Sequence, residues 1–225
     1  MSLVFRYLRH LDGDHQPSYP REMPKRLSRD ESQARTRERL IDAATRLFLR
    51  DGFQVTKVDD IAEAAGYSRG AVYSNFANKE EIGLAVLDSH LVTQFHGVAG
   101  ALSSGTLHER LGALSQWMTG ALGNGDWALL KVEVALHVRQ NPDLQAHLTA
   151  RDGAARQTIT ELIDQVCVET DTALPVASET LAGAILAMAS GLAVERLIDP
   201  AGSSAWAVDL VAAAQRLLEP NSANR

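Results

Sequence analysis

Between Thr56 and Lys79 the chain gathers a hydroxyl (Thr56), two ammonium groups (Lys57, Lys79), a guanidinium (Arg69), a phenol (Tyr73) and a carboxamide (Asn75), with Ser68 and Gly70 interleaved. Guanidinium and carboxamide groups pair with base edges, while ammonium and hydroxyl groups pair with phosphate oxygens, so this is a chemistry of recognition. One literal match to bond-breaking chemistry lies inside it. Gly66-Tyr67-Ser68-Arg69-Gly70 fits the G-x-S-x-G nucleophile elbow. That elbow requires a buried strand before the serine, and the preceding residues DDIAEAA are charged, alanine-rich and helical. No HExxH pair and no phosphate-cradling glycine loop occurs elsewhere, so the chain does not read as an enzyme.

The elements that must position these groups are short helices. Thr56 followed by Asp59 reads as a capping pattern that opens a helix near Lys57. Val58, Ile61, Ala62 and Ala65 fall on one face of it, and Gly66 ends it. Ser68 caps a second helix running to about Asn75, with Val72 and Phe76 turned inward and Arg69, Gly70, Tyr73, Ser74 and Asn75 on its open face. Asn78 then caps a longer helix whose first turn carries Lys79, Glu80 and Glu81. Before them, Gln33 to Arg50 carries an apolar stripe of Leu40, Ile41, Ala44, Leu47 and Phe48; Gly52 stops that helix, and Phe53 folds back onto the core. Two short helices about a glycine turn make a helix-turn-helix, whose second helix fits a major groove.

The string Ile61-Ala62-x-x-Ala65-Gly66-Tyr67-Ser68-x-Gly70-x-x-Tyr73-x-Asn75-Phe76-x-x-Lys79-Glu80 resembles the DNA-binding signature of the TetR (tetracycline-repressor-like) family of transcriptional regulators. The resemblance is sharp from about Arg35 to Ile82. It places DNA contacts on Thr56, Lys57, Ser68, Arg69, Gly70, Tyr73, Asn75 and Lys79. Arg69 is the candidate for reading a guanine edge, Gly70 for close approach, and Thr56, Lys57 and Lys79 for phosphates.

The chain has 225 residues and a formal net charge of −6, with few aromatics and no alternating runs, which favours an all-α protein. The charge is uneven: residues 1–50 carry a balance of +4, residues 51–90 one of −4 and the remainder −6. Residues 1–31, broken by Pro17, Pro20 and Pro24, read as a disordered basic arm, and Met23 offers a start nearer the first helix. A helix-turn-helix domain is expected over 32–80 and a helical regulatory and dimerisation domain over 81–225. The single cysteine, Cys167, excludes an internal disulfide and fits a reducing cytosol, and no apolar run reads as a membrane span, so the expected location is cytoplasmic.

After Lys79 the turn residues fence off six helices: Asn78 to Leu102; one opened by Thr106-x-x-Glu109; one capped by Asp126 and ending at Asn141; one begun by Pro142; Ser178 to Ile198; and Ser203 to Leu218. The resemblance implies a small-molecule pocket among them, with Phe95, His96, Trp117, Met118, Trp127, Glu133 and His137 as candidate lining, against ordinary core packing for the aromatics. No metal or other cofactor is expected, since Glu133 and His137 alone are too few ligands. The helix from Ser178 lacks a polar face and must be buried. The resemblance implies a homodimer through it and the last helix, with Leu181, Ile185, Met188, Leu192, Trp206, Leu210 and Leu217 as interface candidates. The expected function is a ligand-responsive repressor on a palindromic operator; the rival is a helical protein that acts through a protein partner.

Overall fold

The computed structural model describes residues 28–102, 125–171 and 173–199, together with 106, 109 and 112. Among the described residues every regular element is a helix. They are α1 (Arg29–Asp51), α2 (Val58–Ala65), α3 (Arg69–Tyr73), α4 (Lys79–Leu102), α5 (Gly125–Val138), α6 (Pro142–Thr170) and α7 (Ser178–Ile198). Six helices were expected after the helix-turn-helix. Four of them are α4 to α7. The capping box expected at Thr106 is present: the Thr106 amide donates to the Glu109 carboxylate at 2.7 Å and the Glu109 amide to the Thr106 hydroxyl at 3.4 Å. The rest of that helix and the one over Ser203 to Leu218 lie outside the described residues, as do residues 1–27 of the arm expected over 1–31; its residues 28–31 instead cap and begin α1.

The first helix begins four residues before Gln33. Ser28 accepts the Glu31 amide on its hydroxyl at 3.1 Å, and Glu31 accepts the Ser28 amide at 2.6 Å, a reciprocal capping box. Leu40, Ala44, Leu47 and Phe48 are buried on its inner face, as their spacing required. Gly52 and Gly66 close α1 and α2 with positive φ of 90° and 75°, where a side chain would be strained. Pro142 starts α6, and its cap is Asn141, whose carboxamide oxygen accepts the amides of Asp143 and Leu144. The expected cap Asp126 instead lies inside the first turn of α5, which ends at Val138.

One apolar core runs from the helix-turn-helix into the rest of the chain. It joins Leu40, Phe48, Phe53, Ile61, Val72 and Phe76 to Ile82, Leu84 and Leu87 of α4 and to Leu130, Val134 and Val138 of α5. The N-terminal half of α4 is therefore a wall common to both units. Helix α7 departs from expectation in two ways. Only Ala182, Leu192 and Ala193 of it are buried within the chain, while Val194, Leu197 and Ile198 are exposed. By length and composition it is also apolar enough to cross a membrane, because its leucines, isoleucines and alanines outweigh one Glu–Arg pair near its end. Here it packs along α6 and α5.

Candidate nucleic-acid interface

Helix α3 is five residues long and cannot hold itself together by its own hydrogen bonds. Its frame comes from neighbours. Ser68 caps it by accepting the Ala71 amide at 3.2 Å. Val72 and Phe76 are buried beneath it, and Tyr67 packs against the same core. From α1, Arg37 donates to the Asn75 carbonyl oxygen at 2.9 Å while its guanidinium lies 4.1 Å from the centre of the Phe76 ring. This long-range brace fixes the end of α3 against α1.

The outward face carries Arg69, Gly70 and Tyr73. Tyr73 is 45% exposed. Arg69 lies with its guanidinium 5.5 Å from the Tyr73 ring centre and donates to Asp59 at 3.2 Å, with side chains 64% and 58% exposed. Tyr73 first, and then the Asp59 charge, push the Arg69 pKa above its ordinary value, so the cation is permanent. The pairing occupies one nitrogen of the guanidinium fork. Gly70 needs no special backbone: a Cβ built there meets only the Ser68 hydroxyl at 3.7 Å, an ordinary contact.

Three expected contact residues are committed inward. The Thr56 side chain does not cap α2; the residue is 3% exposed and its hydroxyl donates to the Gly52 carbonyl oxygen at 2.8 Å, closing the turn after α1. The cap position is Lys57, whose amide donates to Asp60 at 3.1 Å and whose side chain is left exposed. Asn75 donates its carboxamide to the Ala71 carbonyl at 2.8 Å, so it finishes α3 rather than standing free on its face. Lys79, expected to meet a phosphate, turns its ammonium into the protein and donates to the carbonyl oxygens of Phe53 (2.9 Å), Gln54 (3.2 Å) and Thr56 (3.2 Å), above the Phe53 ring at 4.6 Å. The reason is electrostatic. A cation in the first turn of α4 faces that helix's positive end, and the carbonyls just beyond α1 offer the opposite charge. Asn78 does cap α4, accepting the Glu81 amide at 2.8 Å.

The expected small-molecule lining divides. Glu133 and His137 face the helix-turn-helix: Glu133 accepts the Phe53 amide at 2.8 Å, and the His137 ring meets the Phe53 ring edge-on at 5.0 Å. Trp127 is half-buried and stacks on His90, with ring centres 3.7 Å apart. Burial and then the charge of Arg151 lower the His90 pKa to about 4, so its imidazole is neutral at pH 7. Arg151, its side chain 8% exposed, joins Asp88 of α4 to Asp152, which also meets Lys131 of α5 at 2.8 Å. Phe95 is half-buried and His96 exposed on α4. Trp117, Met118, Trp206, Leu210 and Leu217 lie outside the described residues. On α7, Leu181, Ile185 and Met188 are half-buried and Leu192 is buried.

Residues 40–86 match the family model of bacterial regulatory proteins, tetR family. The transcriptional regulator TtgR of Pseudomonas putida is 45% identical over 71 residues, which are 32% of this chain and 33% of that one. The chain thus aligns with a third of that relative's length. The transcriptional repressor AcnR of Corynebacterium efficiens is 26% identical over 173 residues, 72% of this chain and 86% of its own. A Saccharomonospora viridis protein solved in complex with choline and described as a transcriptional regulator shares the fold at a TM-score of 0.63 and 23% identity, covering 84% of this chain and 97% of that one. Over its helix-turn-helix the chain is similar to the TetR family of transcriptional regulators. These relatives are transcriptional regulators.

Proposed function

We propose that the chain is a homodimeric, ligand-responsive transcriptional regulator, a repressor in its usual state, that reads a palindromic operator with two copies of α3. The carrying observation is the outward face of α3, where Arg69 is braced by Asp59 and Tyr73 beside a glycine with no internal steric role. Lys57 supplies the exposed cation, and the free amides at the start of α2 favour a phosphate nearby. Dimerisation is supported by α7, which leaves apolar residues uncovered that a second copy would bury. The effector would sit in the helical domain near Trp127 and His90, since Glu133 and His137 are engaged elsewhere; binding of choline by the Saccharomonospora protein is consistent with a small-molecule site in this fold.

Selection of duplex DNA from a random pool, followed by anisotropy titration at two salt concentrations, tests the reading. The expected result is an enriched palindrome whose half-sites lie about one duplex turn or slightly more apart, bound with a steep salt dependence. Failure to enrich any sequence refutes it. Retained dimerisation without DNA binding would favour the protein-partner reading.

A further inference from the structure

We propose that Glu133 is the positioning residue through which the helical domain sets the pose of the DNA-reading unit, by holding the turn between α1 and α2. The inference rests on the regulator reading above and deepens it. The turn over 52–56 is gripped from two sides. On its amide side, Glu133 of α5 accepts the Phe53 N–H at 2.8 Å, across 80 residues of sequence. On its carbonyl side, Lys79 of α4 takes the oxygens of Phe53, Gln54 and Thr56. Between them the Phe53 ring is fully buried against Phe48 and His137, each with ring centres 5.0 Å away.

The fit tolerates little slack. A Cβ at Gly83 of α4 would stand 2.8 Å from Phe53 Cε2 and 2.9 Å from Val134 Cγ2, so the side chains of the turn and of α5 press on the α4 backbone with no room for one from α4. His137, one helical turn beyond Glu133, donates its Nδ1–H to the Glu133 carbonyl oxygen at 2.8 Å and shares the face that meets Phe53. The turn leads directly into α2, against which α3 is packed. A shift of α5 along its axis therefore pulls on one amide at the root of the helix-turn-helix, and by reciprocity DNA bound at α3 must be felt in α5.

Amide hydrogen exchange on the full chain, with and without the selected duplex, tests this. In the wild type, DNA should slow exchange in residues 125–138 as well as in the helix-turn-helix. In Glu133→Ala the Phe53 amide should exchange on the order of tenfold faster without DNA, and the α5 response to DNA should vanish while DNA is still bound. Glu133→Gln keeps an acceptor oxygen and should restore the response. A purely packing role for Glu133 would leave the α5 response in the alanine variant intact, and that result overturns the proposal. So does a glutamine variant that behaves as alanine. Should the alanine variant not fold, the wild type still decides, because an α5 silent to bound DNA refutes the coupling. Failure of the wild type to enrich any duplex would overturn the regulator reading and this proposal with it; DNA binding with a silent α5 overturns this proposal alone.

Discussion

Replacing Lys79 by methionine separates two roles for one cation. The substitution keeps most of the aliphatic stem and the helix propensity while deleting the ammonium. Two of its three carbonyl bonds are partly buried, to Phe53 and Thr56, and each contributes about 1–1.5 kcal/mol; the exposed bond to Gln54 adds little. The charge above Phe53 adds about 0.5–1 kcal/mol. Removing a cation from the positive end of α4 returns about 0.3–1 kcal/mol. The net loss is about 2–3 kcal/mol, or about 4–12 °C in Tm for a chain of this size. Thermal denaturation at fixed protomer concentration measures it, since dimerisation makes Tm concentration-dependent. The salt slope of DNA binding should stay unchanged, because the ammonium faces the protein. A stable Lys79→Met variant whose slope falls by about 0.9 would refute the inward role and return Lys79 to the phosphate backbone.

Arg69→Ala should lower affinity for the selected operator by about ten- to a hundredfold and relax preference at one base position, read by repeating the selection; equal losses on operator and random DNA would count against base reading. Gly70→Ala should fold at least as well as wild type, gaining about 0.5 kcal/mol of helix propensity, yet bind DNA more weakly; an unchanged operator affinity would remove the close-approach role. His90 titrates near 4 when folded against 6.5 when unfolded, so the unfolded chain takes up its proton first and stability, full above pH 6.5, declines as pH falls from 6.5 to 4. The ceiling is about 3 kcal/mol, cut to about 1–2 by partial exposure, and His90→Gln should lose that part of the acid sensitivity in denaturant melts from pH 7 to pH 4.5.

The helix-turn-helix was legible in the sequence because its signals are local. Gly52, Gly66, Ser68 and Asn78 each punctuate the chain within a turn of where they stand, and the stripe Leu40, Ala44, Leu47, Phe48 declares its own buried face. The Ser28-x-x-Glu31 box carried the same kind of signal and marks the true start of α1. What spacing cannot show is the partner across the fold. Lys79 and Phe53 are 26 residues apart, Arg37 and Asn75 are 38 apart, and Glu133 and Phe53 are 80 apart. Spacing shows Lys79 only as a cation beside the helix-turn-helix and not the carbonyl acceptors that its ammonium meets. Helix α7 shows the converse: its all-round apolar character predicts burial, but the chain alone covers only part of it.

The core shared through α4 bears on how such proteins are recombined. Ile82, Leu84, Ala85, Val86 and Leu87 are packed with the helix-turn-helix residues, and the tetR-family match ends at residue 86. A graft cut in the loop before α4 would strip the reading unit of its floor and leave five buried side chains facing water. The serviceable junction for exchanging operator specificity lies a third of the way along α4, after Leu87. A chimera joined there carries Gly83 and Lys79 with its carbonyls, but its new body must supply an acceptor at 133 if the transplanted head is to answer to it.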